Sequence, residues 1–189
     1  IEAPPFLSRL SKNEAETVQA IAALLASIML RQRLDEVTRQ ARIDILTGLF
    51  NRRVLEQRVT ALLQQDMSDG VGFAFVLIDL DYFKEINDNY GHVAGDRVLR
   101  LLAETLLNTF HSTDIIARFG GDELVVFCAL RDDVKSIVSK AEKLVEDWSI
   151  TPMFTEEGEV FYSTLSIGIS IAPIDGTTYN ELLSMADIA

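Results

Sequence analysis

From Val71 to Leu80 the chain is apolar almost without a break, and it then ends on Asp79-Leu80-Asp81. Such a run reads as a strand buried on both faces, the kind found inside a sheet covered by helices. Carboxylates at the end of a buried strand sit where sheets of this kind usually place their ligands. Side chains alternate along a strand, so Asp79 and Asp81 share one face and Leu80 points the other way. The Leu80 carbonyl is then left where pairing stops. A hard divalent cation takes oxygens of this type.

A second segment, Arg118-Phe119-Gly120-Gly121-Asp122-Glu123-Leu124, sets adjacent carboxylates at a double-glycine turn. It lies between Ile115-Ile116-Ala117 and the apolar run Leu124 to Ala129. Both flanks have β character, and the glycine pair is expected to supply the positive φ of a tight hairpin. With the strand at 72–80 beside a hairpin at 115–129, Asp79, Asp122 and Glu123 converge near the Leu80 carbonyl. That is an oxygen-only site suited to Mg²⁺ or Mn²⁺.

Elsewhere the pattern predicts a turn at 44–48 and a helix over 52–65. Further helices are expected at 83–88, 94–109 and 133–148, a strand region at 159–172, and a helix from Thr178. The order β-α-α-β-β-α-β-α predicts an α+β fold, an antiparallel-containing sheet flanked by helices and close to a ferredoxin-like arrangement. Phe73, Phe75, Phe83, Phe127 and Trp148 read as core. Residues 1–12, with Pro4 and Pro5, read as a connector, followed by a helix over 13–41. Val18, Ile21, Leu25 and Ile28 keep heptad-like spacing, and Leu30, Leu34, Val37 and Ala41 resume it in a shifted phase. This helix is either a dimerising signalling helix leaving an upstream sensor domain or a helix packed on its own domain. The chain thus divides into a coiled-coil-like lead-in over 1–41 and one domain over 42–189.

Composition narrows the partners. A formal charge of −12 over 189 residues disfavours tracking of long nucleic acid, so neither DNA nor RNA is an expected partner. The single cysteine, Cys128, lies in an apolar strand and suits a reducing, cytoplasmic setting. The longest apolar run, Ala20 to Leu30, falls short of the roughly 20 residues needed to span a bilayer, and no signal peptide is visible. No membrane segment is expected in this chain.

Four ordered segments resemble the GGDEF domain, the catalytic domain of diguanylate cyclases. They are Asp44-Ile-Leu-Thr47-Gly48-Leu49-Phe50-Asn51-Arg52-Arg53, the stretch Asp79 to Asp96, Arg118 to Leu124, and Ser166-Ile-Gly168-Ile-Ser170. The resemblance covers roughly residues 41–189 and implies a fold similar to class III nucleotide cyclases and polymerase palms. It also implies condensation of two GTP molecules into cyclic di-GMP, across a homodimer in which each subunit holds one GTP. By resemblance Asp79, Leu80 and Asp122 are metal ligands with Glu123 assisting, and Asp122 is the candidate base for the 3′-hydroxyl. Asn87 and Asp96 match the residues that read guanine. Without the family, Asn87 is an ordinary residue at a helix C-terminus and Asp96 an ordinary first-turn acid. His92 is a substrate contact or a structural histidine, and Lys84 and Arg118 are phosphate holders or surface charges. The opening signature, Asp44 to Arg53, is expected to fasten the lead-in helix to the domain, or to cap a helix through Thr47 or Asn51. A rival reading is an inactive module that binds GTP or a related cyclic nucleotide and signals through a partner.

The chain departs from the family pattern in three places. Leu124 stands where the name motif has phenylalanine, which keeps the position apolar. His111-Ser112-Thr113-Asp114 occupies the place of the family's Arg-x-x-Asp product-binding motif, so the arginine fork for phosphate is missing. The final helix is also expected to continue beyond Ala189 in the family, towards a phosphate-binding Lys and Arg.

Overall fold

The computed structural model describes residues 12–40, 42–66, 71–130 and 133–189. The chain splits into two units, Ile1–Ala41 and Arg42–Ala189. The first contains helix α1 (Lys12–Gln40). Along it Val18, Ile21, Leu25 and Ile28 are all exposed, as are Leu24 and Met29. The expected connector up to residue 11, together with Ala41 and the side chains of Leu30, Leu34 and Val37, lies outside the described residues, and Lys12, read as connector, begins the helix.

The second unit is built on strand β2 (Phe73–Leu80), buried along nearly its whole length. Its neighbours are β4 (Glu123–Ala129) and β7 (Leu165–Ala172), both antiparallel to it. Strand β3 (Ile115–Arg118) forms the hairpin with β4, and the two-residue β1 (Phe50–Asn51) runs parallel to β3 at the edge. The sheet order is β1-β3-β4-β2-β7. Without β1 this is the ferredoxin-like order expected from the sequence.

Period-two alternation divides the side chains of β2 between two cores. Ala74, Val76, Ile78 and Leu80 face the layer made by α3 (Phe83–Thr109) and α4 (Val134–Ser149), where Leu99, Leu102, Leu144 and Trp148 are buried. Phe73, Phe75 and Leu77 face the layer of α2 (Arg52–Asp66) and α5 (Tyr179–Asp187), packing with Leu55, Val59 and Leu182. Helix α4 earns its place by pattern: Ile137, Ala141, Leu144 and Trp148 form one buried stripe, and Asp133 caps it by accepting from the Ser136 amide at 3.0 Å. Helix α5 opens with a capping box between Thr178 and Glu181. Cys128 is buried, as its sequence context implied.

Three local expectations are corrected. The strand region at 159–172 is two strands, β6 (Val160–Phe161) and β7, and β6 pairs with β5 (Met153–Phe154) in a separate ribbon. The two helices expected at 83–88 and 94–109 are continuous except at Gly91, whose φ of 80° and ψ of 159° break the helical path without an intervening loop. Finally, the glycines with positive φ are Gly48, Gly91 and Gly158; Gly120 and Gly121 are not among them. The hairpin therefore does not draw on positive φ at this pair; a Cβ on Gly120 would meet only the end of the flexible Glu123 side chain, and one on Gly121 would meet open space.

Gly168 of β7 is required by packing, because a Cβ there would collide with the backbone carbonyl of Ala186 in α5. Backbone cannot rotate away as a flexible side chain can. Gly168→Ala is expected to push α5 off the sheet and destabilise the domain by about 1–3 kcal/mol, read as a lower midpoint in urea unfolding at unchanged slope.

Candidate active site

The end of β2 and the start of β4 are held in direct register, with Asp79 opposite Glu123 on one side and Ser166 of β7 on the other. Cross-strand partners project to the same face, so Asp79, Glu123 and Ser166 share the face of the sheet that carries Phe75 and Leu77. The Leu80 amide donates to the Asp122 carbonyl at 3.4 Å, bringing the strand end against the hairpin tip. The tip is closed by the amides of Phe119 and Gly120, both donating to the Glu123 carbonyl, at 2.8 and 3.2 Å. A cleft of about 460 Å³ opens beside these groups, lined by Leu77, Asp79, Glu123, Ser166, Gly168 and Asp187.

The Asp79 carboxyl feels both its burial and the acids around it. Partial burial, then the charges of Asp122, Glu123 and Asp81, push the Asp79 carboxyl up to about 6. Among the described residues no three His, Cys, Asp or Glu side chains are drawn close enough to form a ready-made metal cage. The donor set nevertheless fits a hard divalent cation. All the groups are oxygens, their mutual repulsion is what a cation relieves, and Mg²⁺ is commonly held by one or two carboxylates with water and substrate phosphate.

Asn87 and Asp96, the residues matched to guanine recognition, lie on either side of the break in α3 at Gly91. His92 Nδ1 lies 3.2 Å from Asn87 Oδ1, and Asn87 Nδ2 donates to the Phe83 carbonyl at 3.1 Å. Gly95 packs so tightly on Asn87 that a Cβ there would strike its Oδ1. Asp96, half-buried, follows at once and pairs only loosely with Arg100, at 3.9 Å. Lys84 is exposed on the first turn of α3.

Arg118 is engaged within the protein. Its Nη1 meets both carboxylate oxygens of Asp44 at 3.3 Å, and its Nη2 donates to the Gly121 carbonyl at 2.7 Å. Burial raises the Asp44 carboxyl, but hydrogen bonds from Thr47 and the charge of Arg118 outweigh it and hold the group below its usual range. The opening signature is thereby tied to the hairpin tip. Asn51 caps α2 by accepting from the Val54 amide at 3.1 Å, and Arg52 lies over the Phe119 ring. Thr47 caps no helix; it closes the turn on Asp44.

Two features escaped the sequence. Asp81 is bound by the hydroxyls of Thr164 and Ser166, and Tyr82 adopts left-handed backbone at φ 56° and ψ 30°. The partners of Asp81 lie more than eighty residues away, beyond any spacing rule. A tyrosine gives no local hint of positive φ. At the place of the product-binding motif, the His111 amide donates to Asp114 Oδ2 at 2.8 Å, so Asp114 closes its own turn.

A family model for the diguanylate cyclase GGDEF domain matches residues 41–189. The chain belongs to the GGDEF domain family of diguanylate cyclases. It is 39% identical over 172 residues to the bifunctional diguanylate cyclase/cyclic di-GMP phosphodiesterase MucR of Pseudomonas aeruginosa, covering 91% of this chain and 24% of MucR. It is 34% identical over 149 residues to the cyclic di-GMP phosphodiesterase NbdA of the same organism, covering 79% of this chain and 19% of NbdA. The chain thus spans about a quarter or less of the length of these relatives. Among solved structures, a sensory box/GGDEF family protein from Caulobacter crescentus superposes with a TM-score of 0.72 at 36% identity, covering 79% of this chain and 95% of that one.

The raised Asp79 carboxyl has a stability consequence with a definite sign. Its stabilising contribution is complete below the ordinary carboxylate pKa near 3.8 and is lost as pH rises through about 6. At pH 7 without divalent cations, Asp79→Asn is expected to stabilise the domain. Discounted for solvent screening the gain is about 1 kcal/mol, or roughly 3 °C in Tm. The gain should vanish near pH 4, and added Mg²⁺ is expected to raise the Tm of the parent but not of the variant. Differential scanning calorimetry at both pH values checks each part.

Proposed function

We propose that this domain is a diguanylate cyclase that condenses two GTP molecules into cyclic di-GMP and releases two pyrophosphates. The observation that carries this reading is the registered pairing of β2 with β4, which sets Asp79 opposite Glu123 and the Leu80 amide on the Asp122 carbonyl. Asp79, the Leu80 carbonyl, Asp122 and Glu123 would hold Mg²⁺ or Mn²⁺. The bound ion supplies charge neutralisation for the triphosphate and for the departing pyrophosphate.

Within that site Asp122 takes the proton of a ribose 3′-hydroxyl as its oxygen bonds to the α-phosphorus of the other nucleotide. The bond from that phosphorus to the pyrophosphate oxygen breaks in line. Asn87 and Asp96 read the base: a carboxylate accepts from guanine N1–H and N2–H₂, and a carboxamide donates to O6. His92 orients the Asn87 amide through their shared contact. Lys84, exposed on the first turn of α3, would hold a phosphate. Arg118 serves better as a brace, since Asp44 and the Gly121 carbonyl already occupy its guanidinium.

One such site holds one nucleotide, so the reaction joins two copies of the domain face to face. The exposed apolar seam Val18, Ile21, Leu25 and Ile28 of α1 suits pairing with a second copy and control by an upstream sensor. No helix among the described residues is long and apolar enough to cross a membrane. A GTP substrate places the domain in the cytoplasm.

The rival reading is a binding module without turnover; NbdA, to which this domain is similar, is named as a phosphodiesterase and not as a cyclase. Incubation with Mg²⁺ and GTP or ATP, followed by chromatographic separation of products, decides between them. Cyclic di-GMP from GTP alone supports the cyclase, and tight GTP binding without product supports the module. Asp122→Asn is expected to lower turnover by about 10²- to 10⁴-fold with an unchanged circular dichroism spectrum. Because His111 supplies no guanidinium fork, added cyclic di-GMP should inhibit weakly at this position; strong noncompetitive inhibition that disappears in Asp114→Ala would refute that expectation.

A further inference from the structure

Asp81 shares a face with Asp79 and has the chemistry of another cation ligand, yet its carboxylate is already occupied. Thr164 Oγ1 donates to Oδ2 at 2.5 Å and Ser166 Oγ donates to Oδ1 at 2.7 Å. The Asp81 amide donates in turn to the Thr164 carbonyl at 3.1 Å. Three hydrogen bonds therefore fasten this one residue to the head of β7. Ser166 is the register partner of Asp79 and lines the same cleft, so the clamp reaches into the site.

Directly after Asp81 the chain turns hard. Tyr82 is left-handed at φ 56° and ψ 30°, and its carbonyl accepts from the Ile86 amide at 3.1 Å to open α3. For a residue with a Cβ that conformation is strained and persists only where the surroundings fix the chain on either side. Its side chain is 75% exposed, so packing of the ring does not hold it there. The anchor on the strand side is Asp81, and α3 is the anchor on the other.

We infer that Asp81 is a positioning residue: held by Thr164 and Ser166, it fixes where β2 stops and thereby aims Asp79 and the Leu80 carbonyl at the hairpin tip. A slip of one residue at this end would turn Asp79 to the opposite face of the sheet. The hydroxyl pair also keeps the Asp81 charge directed at β7. This inference rests on the cation site of the proposed cyclase, and its test is read by cation binding as well as by turnover.

The experiment measures Mn²⁺ binding by the electron paramagnetic resonance signal of free Mn²⁺, with GTP present, in a double-mutant cycle. One arm is Asp81→Ala and the other is Thr164→Val with Ser166→Ala. Loss of partners that orient metal ligands typically weakens affinity about 10- to 100-fold, and each arm is expected to show a loss in that range. The combined variant should fall no further than either arm, because one clamp is lost in every case. Thr164→Ser keeps a hydroxyl and should bind Mn²⁺ as the parent does, which separates the clamp from any folding defect of the valine variant. The concentration of Mg²⁺ giving half-maximal cyclase activity should rise in parallel.

An affinity lost in Asp81→Ala but retained in Thr164→Val/Ser166→Ala would make Asp81 a direct ligand and overturn the inference. So would variants that lower Tm while binding Mn²⁺ normally. A parent domain that binds no Mn²⁺ removes the site and the inference with it. A parent that binds Mn²⁺, shows the expected cycle and makes no cyclic di-GMP upholds the clamp while refuting the cyclase.

Discussion

The antiparallel pairing of β2 with β4 is the constraint on which the site depends. Seven consecutive residue pairs, from Phe73 with Ala129 to Asp79 with Glu123, fix the two strands against each other. Because side chains alternate, the register that buries Phe75 with Phe127 on one face and Ile78 with Leu124 on the other is the one that brings the acids together. Apolar packing along the strands thus sets the position of charge at their ends. The like-charge repulsion felt by Asp79 works against this arrangement, and two cores, one on each face, supply the opposing stabilisation.

Much of this was legible in the chain. The apolar run to Leu80 predicted a doubly buried strand because both of its faces must leave water, and the structure buries it so. A helix was expected over 133–148 with Trp148 in the core, and α4 forms there with Ile137, Ala141, Leu144 and Trp148 as its buried stripe. Family membership and fold class followed from four motifs in order, each with its own spacing, and the comparisons bear both out.

What was not legible depends on contacts between distant parts of the chain. Arg118 and Asp44 are 74 residues apart, and no local pattern says that a guanidinium beside a glycine turn will meet a carboxylate in the opening signature. The glycine pair was expected to provide positive φ, yet neither Gly120 nor Gly121 has it, and the Glu123 side chain packs into the space beside Gly120. Gly91 lies between the two helices expected at 83–88 and 94–109, and its positive φ alone redirects the helical path. A glycine in a motif signals that its small size or its backbone freedom is used, and only the fold shows which. The strand region at 159–172 was divided for a related reason: the residues of β6 pair with β5, and that pairing is tertiary.

The braces around the hairpin tip and the strand end are of different kinds, and the difference bears on function. Arg118 reaches the tip through a charge pair with Asp44 and neutral carbonyls, a combination that holds the tip while adding positive charge near a cluster of acids. Asp81 holds the strand end through hydroxyls, which leave its own negative charge in place. A cation entering between them meets carboxylates whose backbone is already fixed by the register and whose repulsion it removes. Reorganisation is then confined to side chains such as Glu123, which rests against Gly120. A site of this construction is pre-positioned by backbone and left open in its side chains, which suits an ion that arrives with water and a nucleotide's phosphates rather than one locked in a protein cage.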